Sequence, residues 1–455
     1  MSDVAVLLSG GGDLFLLGAA DGGLRRLTAG AAEAEDAQFS PDGRFVAFVR
    51  GNDLYAVEVA SLREIRLSSD GGENRVNATF DWLYQEELAG RESHAFAWSP
   101  DSRTILFLTL DETKVPRFPL TDLLPPHPTT SPELYPKAGD PNPVPGLRVV
   151  SVLPRPDGAR VDLELRWPDD GGYVVRLGWM PDGRSAWYER LDRSQTRLDL
   201  VRLDPLSGAS TTLLTDTDSA WINLHDDLVF LKDGRFLWSS EKSGFRHLYL
   251  HAADGRQLAA LTAGDWEVID LLDVDEATGS FWFVANEKSP LERHLYRGTL
   301  NGAAPVRLTA EPGVHVPSIG AGARYIIDQW SRANRPRSQW LLDRDGKRVR
   351  AIFANDRPPL ADMKLGTVEF HEIKGPAGAT LFASLLKPAD FDPAKKYPVI
   401  VYTDGGPHAQ IVEDAWGGRY ALFHQYLASR GILVFSIDNR GSFGRGRAFE
   451  RALLR

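Results

Sequence analysis

Phe39-Ser40-Pro41-Asp42-Gly43-Arg44 runs directly into Phe45-Val46-Ala47-Phe48-Val49, and Asn52-Asp53-Leu54-Tyr55-Ala56-Val57 opens a second apolar stretch. Pro fixes φ, Asp caps the backbone and Gly accepts φ > 0, so the first motif is a tight turn, and the run after it reads as an alternating strand. The same grammar returns at Trp98-Ser99-Pro100-Asp101-Ser102, at Trp179-Met180-Pro181-Asp182-Gly183 and at Lys232-Asp233-Gly234-Arg235. Degenerate copies stand at Glu276-Ala277-Thr278-Gly279 and Ala321-Gly322-Ala323-Arg324. From Asp42 through Asp101, Asp182, Asp233, Ala277 and Gly322 the spacings are 59, 81, 51, 44 and 45 residues. The last three fit a four-stranded propeller blade, whose period is about 40–50 residues. One such turn is any hairpin; several in register, joined to aromatic strands, predict a mainly β chain with six to seven recognisable blades, the first of them a half blade at Val4 to Thr28.

Composition agrees with a packed protein of many short strands. The 455 residues include 42 Gly, 29 Pro and 12 Trp, with 25% charged and 43% hydrophobic side chains. That balance is globular. A net charge of -10 argues against a general grip on nucleic acid or anionic lipid. With no cysteine there are no disulfides, thiol nucleophiles or thiolate metal sites. The first twenty residues carry Asp3 and Asp13 and break at Ser9-Gly10-Gly11-Gly12, unlike a secretory signal, and no 18-residue apolar run occurs. A cytoplasmic protein without a membrane span is the expectation.

Two stretches depart from the repeat. The 81-residue spacing holds a Pro-rich insertion, Pro116 to Pro145, expected as an extended loop over one face rather than part of a central sheet. From Ala361 the pattern changes again. Tyr397-Pro398-Val399-Ile400-Val401-Tyr402 is a continuous apolar strand, Trp416 to Ser429 a helix, and Gly431 to Ile437 a second buried strand, together the start of a parallel α/β sheet.

Chemical motifs are few. His371-Glu372 has Gly375 where a zinc protease needs its second histidine, and Gly10-Gly11-Gly12 is followed by no Gly-Lys-Ser/Thr, so neither a metal nor a nucleotide is expected. No G-x-S-x-G nucleophile elbow occurs in the 455 residues, and no catalytic residue is assigned. The acids Glu86-Glu87, in Asp81-Trp82-Leu83-Tyr84-Gln85-Glu86-Glu87-Leu88, read either as a solvated polar turn or as an anionic clamp for an ammonium group.

The stretch Asp81 to Leu88 is followed in order by Ala97-Trp98-Ser99-Pro100-Asp101, Asp111-Glu112-Thr113-Lys114-Val115-Pro116 and Tyr135-Pro136-Lys137-Ala138-Gly139-Asp140-Pro141-Asn142-Pro143. Further on come Glu241 to Tyr249, Glu292-Arg293-His294-Leu295-Tyr296, Gly405-Gly406-Pro407-His408-Ala409-Gln410 and Asp438-Asn439-Arg440-Gly441. In that order they resemble the dipeptidyl peptidase IV family of the prolyl oligopeptidase superfamily. The resemblance implies a propeller, here 1–355, followed by an α/β-hydrolase domain, here only its N-terminal part at 356–455. It implies a cofactor-free serine exopeptidase that releases N-terminal dipeptides, preferring Pro or Ala in second place. It also implies that Glu86 and Glu87 grip the α-ammonium of a peptide N-terminus.

Departures from the family pattern qualify this. The serine, aspartate and histidine of its triad have no counterpart and the propeller pattern begins roughly one blade or more late, so the chain is expected to be truncated at both ends and inactive alone. Its oxyanion tyrosine aligns with Asp404, beside Gly405 and Gly406, where a carboxylate would repel the developing charge; Tyr402, two residues earlier, is a weak substitute. The family's companion arginine has no match between Met1 and Leu24, and Arg91 is one candidate cation near the acids. The alternative is a non-catalytic propeller binding peptides or a protein partner. The partners expected are peptide N-termini, with a homo-oligomer as one further candidate and a second polypeptide carrying the missing hydrolase half, which would complete the machinery, as another.

Overall fold

A computed structural model describes residues 5–19, 21–30, 32–88, 94–154, 158, 160–167, 170–355, 360 and 363–454. Val4, Arg91, Ala361 and the expected domain start at 356 lie outside these residues. The chain separates into two compact units, Met1–Leu224 and His225–Arg455.

The repeated turns do what their chemistry dictates. In Ser40-Pro41-Asp42-Gly43, Asp42 Oδ1 accepts from Arg44 N at 3.0 Å and from Ser40 Oγ at 2.7 Å, while Gly43 takes φ +71°. The copies repeat this: Asp101 accepts from Arg103 N, Asp182 from Arg184 N and Asp233 from Arg235 N, with Gly183 at φ +64° and Gly234 at φ +86°. Five of the six marked turns join the first and second strands of an antiparallel sheet, and the other, at Asp101, joins Phe96–Trp98 to Thr104–Asp111.

In the first unit these sheets are a three-stranded blade 1 (Ala5–Gly10, Asp13–Gly18, Leu24–Arg26) and blade 2 (Glu35–Phe39, Phe45–Arg50, Asp53–Glu58, Glu64–Arg66). Blade 3 follows (Arg75–Asn77, Phe96–Trp98, Thr104–Asp111, Val144–Ser151, Asp162–Arg166), then blade 4 (Tyr173–Trp179, Ala186–Leu191, Arg197–Leu203, Ser210–Thr217). The second unit holds four-stranded blades 5 (229–260), 6 (268–307) and 7 (314–353). Consecutive up-and-down sheets of this kind are β-propeller blades, and the chain is mainly β.

Phe45 to Val49 is not half-solvated, as an alternating strand would be: every residue is buried. Phe45, Ala47 and Val49 pack with Phe96, Ile105 and Phe107 of blade 3, whereas Val46 and Phe48 pack with Leu14 and Leu27 of blade 1. In the second unit Phe281 and Phe283 meet blade 5, and Trp282 meets Ile326 and Leu342 of blade 7. A blade lies between two neighbours, so both faces of its inner strands must be apolar, and period-2 polarity disappears.

The Pro-rich insertion is more ordered than an extended loop. Arg117–Asp122 and Thr129–Leu134 pair as an antiparallel hairpin, its Thr and Leu side chains largely in solvent. Pro145 does enter blade 3, next to the start of Val144–Ser151; the neighbouring strand Asp162–Arg166 begins its pairing only at Gly146, past the proline.

After blade 7 the sheet type changes. Thr367–Lys374, Thr380–Lys387, Leu433–Ile437 and Val399–Tyr402 lie in that spatial order, the first two junctions antiparallel and the last parallel. Helix Gly418–Ser429 connects the parallel pair, packing Ala428 on Leu386 and Val434. Among the described residues no helix is long and apolar enough to cross a membrane.

Candidate functional site

Blade 3 is broken in one strand, and the break carries the acidic pair. Arg75–Asn77 pairs with Thr109–Asp111, while Phe96–Trp98 pairs with Ile105–Phe107 on the same edge of the long strand Thr104–Asp111. The intervening chain leaves the sheet and forms a single π-helical turn, Tyr84–Leu88. Such turns are rare and concentrate at functional sites.

The turn is fixed by its buried ends. Asp81 Oδ1 accepts from Tyr84 N at 3.0 Å, capping the start. Tyr84 is fully buried, lies against Phe80 and Tyr173, and its hydroxyl oxygen accepts from Val174 N at 3.1 Å. At the far end Arg176 Nη1 donates to the carbonyl of Leu88 at 3.0 Å. Between these ends Gln85, Glu86 and Glu87 are exposed, and among the described residues neither glutamate carboxylate is engaged in a hydrogen bond or ion pair.

Beneath the turn lie two acids of another kind. Asp81 is buried, its Oδ2 has no hydrogen-bond partner, and desolvation pushes its pKa up to about 6. Glu112, from the segment after the long strand, is 5% exposed; burial first, then the charge of Asp81, push it up to about 7. Nothing in Asp111-Glu112-Thr113-Lys114 marks Glu112 as buried, and sequence reasoning missed it.

The other candidates are in the second unit. Tyr402 ends the exposed strand Val399–Tyr402, its ring centroid 5.0 Å from that of His424. It lines a cavity of about 230 Å³ with Glu413, Tyr420 and Gln425. Asp404 is exposed and turns back on its own loop, Oδ1 accepting from Gly406 N at 3.1 Å, and Gly405 sits at φ +83°. The loop beyond is anchored to blade 6: Arg293, 6% exposed, pairs with Glu413 at 2.9 Å and donates to Gln410 Oε1, and Gln410 Nε2 donates to the carbonyl of Pro290 at 2.8 Å. Asp438 holds the same loop by accepting from Ile411 N at 2.9 Å and Val412 N at 3.2 Å. Arg293 and Asp438 lie in motifs singled out above, but their anchoring role was not foreseen. The structure thus gathers Tyr402, Asp404, Gly405 and Gly406 into one strand–loop segment and places Glu86 and Glu87 side by side on another.

Comparison with known proteins converges on one family. Residues 8–337 match the model of the "Dipeptidyl peptidase IV (DPP IV) N-terminal region". The dipeptidyl peptidase 4 of Trichophyton tonsurans is 29% identical over 445 residues, covering 93% of this chain and 56% of that protein. A probable dipeptidyl-aminopeptidase B of Coccidioides posadasii is also 29% identical, over 90% of this chain and 48% of its own length. The chain therefore spans about half the length of the curated relatives it matches. The crystal structure of Porphyromonas gingivalis dipeptidyl peptidase 4 superposes with a TM-score of 0.88 at 27% identity, over 99% of this chain and 63% of the other. A putative dipeptidyl aminopeptidase IV from Bacteroides ovatus gives 0.84 at 25% identity, over 100% and 65%. Since the family match begins in blade 1 and ends in blade 7, well over half of the 455 residues, the chain belongs to the dipeptidyl peptidase IV family.

Proposed function

We propose that this chain supplies the substrate-reading part of a serine exopeptidase that removes dipeptides from peptide N-termini, with Pro or Ala preferred in second place. The observation that carries this is the π-helical turn of blade 3, which presents Glu86 and Glu87 to solvent with no protein cation or donor engaging them among the described residues. Two adjacent carboxylates with no partner among the described residues suit an ammonium group, which offers three charge-assisted donors. A peptide whose amine is held there has its scissile bond at a set distance, and two residues become the measure of the product.

A second reading is favoured by the loop at Asp404. Its carboxylate stands where the family's pattern has a tyrosine donor, and the 455 residues contain no G-x-S-x-G. On these grounds the polypeptide alone binds peptides without cleaving them, as a recognition module or in concert with a chain that carries a nucleophile.

Binding separates the clamp from a solvated turn. Calorimetry with alanyl-proline amide should show affinity lost on N-acetylation of the peptide, and lost equally when Glu86→Gln and Glu87→Gln are combined. Undiminished binding by that double variant would sink the clamp.

A further inference from the structure

The acidic pair belongs to blade 3 by sequence, but the contacts at both ends of its turn come from blade 4. Tyr84 and Leu88, the two buried residues of the turn, bracket the exposed Gln85, Glu86 and Glu87. At the first, the backbone N–H of Val174 donates to the Tyr84 hydroxyl oxygen at 3.1 Å; at the second, Arg176 Nη1 donates to the Leu88 carbonyl at 3.0 Å and to the Val175 carbonyl at 2.7 Å. Val174 and Arg176 are neighbours on one strand, Tyr173–Trp179, and the strand is irregular between them: its pairing with Ala186–Leu191 shifts register from Val174 to Arg176. The residue left out of the register is Val175, between the two, and a bulge of this kind bends the strand and re-aims its side chains.

We infer that Tyr84 and Arg176 are positioning residues, which lock the Glu86–Glu87 turn onto the bulged first strand of blade 4 and so hold the two carboxylates preorganised for a peptide's α-ammonium. This rests on the clamp reading above. Ordering the turn costs backbone freedom, and its local contacts all lie at its start: Tyr84 N donates to Asp81 Oδ1, Gln85 N to the Asp81 carbonyl and Gln85 Nε2 to the Phe80 carbonyl, so the tie at the far end comes from Arg176 of blade 4. Without the two anchors the carboxylates would be ordered only on binding, and the ligand would have to supply that ordering.

The effect should therefore fall on ligands with a free amine. In the 455-residue chain, Tyr84→Phe, which removes only the hydroxyl, and Arg176→Met, which removes the donor to Leu88, should each weaken alanyl-proline amide about tenfold while leaving the weaker affinity of N-acetyl-alanyl-proline amide unchanged. Arg176→Lys keeps a donor and should recover to within about threefold of the wild type. Adding Tyr84→Phe to Glu86→Gln/Glu87→Gln should cost nothing further, because the anchors have nothing left to position. Wild-type affinity for the free amine in Tyr84→Phe and Arg176→Met, or an equal loss for both peptides, would overturn the positioning role while leaving the clamp standing. Failure of the wild type itself to distinguish the two peptides would overturn the clamp, and the positioning role with it.

Discussion

Replacing Glu112 by Gln should stabilise the protein at pH 8 and do much less at pH 5, because the wild-type carboxyl is buried beside a second one. Desolvation, aided by the charge of Asp81, raises Glu112 from 4.5 to about 7, and desolvation raises Asp81 from 3.8 to about 6. Folded protein then keeps protons that the unfolded chain releases, so stability on this account is full below about pH 4 and is lost as pH rises through about 7. A displacement of that size in Glu112 corresponds to about 3 kcal/mol at pH 8 and under about 1 kcal/mol at pH 5. The cost for Asp81 is comparable, but the two do not add, since the charge of one raises the other. Glutamine cannot ionise and fills the same volume, so Glu112→Gln should gain that amount locally. Hydrogen exchange by mass spectrometry, followed in peptides spanning 80–88 and 108–115, reads the opening free energy of this region without assuming that a chain of two units unfolds in one step. Faster exchange at pH 8 in the variant, or the same change at pH 5 and pH 8, would show that burial of the acid pair is not what the geometry implies.

Two further expectations follow from other contacts. Thr262 is buried, its Oγ1 accepts from Leu248 N at 3.0 Å and lies 3.0 Å from His247 Nδ1, so Thr262→Val strands two buried groups and should cost about 2 to 4 kcal/mol in urea unfolding of blade 5. Thr262→Ser, losing one methyl, should cost about 1 kcal/mol; equal losses in the two variants would refute the hydroxyl's role. The purified 455-residue polypeptide should release no chromophore from an Xaa-Pro anilide and take up no fluorophosphonate label, and stoichiometric labelling would reveal an activated serine outside any G-x-S-x-G.

The Thr262 contact belongs to a pattern that sequence reading overlooked. Asp13 and Thr28, Asp53 and Ser68, His247 and Thr262, and His294 and Thr309 each stand 15 residues apart and hydrogen-bond, and each hydroxyl also accepts from the backbone N–H of the leucine after the acid or histidine. The turns were legible because Pro, Asp and Gly act on their own backbone, within four residues. This clamp joins the penultimate strand of a blade to the chain following the last, and its first member changes between Asp and His, so no local window displays it. Strand polarity was misread for a similar reason: whether Val46 faces water depends on the presence of blade 1, which Phe39 to Val57 cannot reveal. Glu86 and Glu87 drew attention because two adjacent acids are conspicuous, and the family resemblance supplied the role proposed for them. Tyr84, Arg176 and Glu112 drew none, since their surroundings exist only in the folded chain: Tyr84 and Arg176 meet partners across blades 3 and 4, and Glu112 is buried near Asp81.

The segment carrying Tyr402 to Gly406 shows the same dependence from the other direction. Its parallel strands follow from local sequence, yet the course of the chain after Gly406 is imposed by blades 5 and 6. Beside the Arg293 and Gln410 contacts, Asp414 N donates to the carbonyl of Leu291 at 2.9 Å, Asn286 Nδ2 to that of Gly444 at 2.9 Å, and Gly446 N to Glu267 Oε1 at 2.8 Å. Glu267 is buried, with its pKa raised by that burial, and Arg293 is buried with its own lowered for the same cause. Buried charges of this kind contribute little net stability, because desolvation cancels much of their attraction, but a misregistered loop would leave each of them unpaired at a cost of several kcal/mol. Their effect is therefore selective rather than additive: among the ways the Gly405–Asp414 loop could close over its sheet, they penalise all but the one that meets Arg293, Pro290 and Asp438. The loop's geometry is thus a property of the propeller blades as much as of the sheet it leaves, and a change in blade 6 can alter the surroundings of Asp404 without touching any residue of its strand.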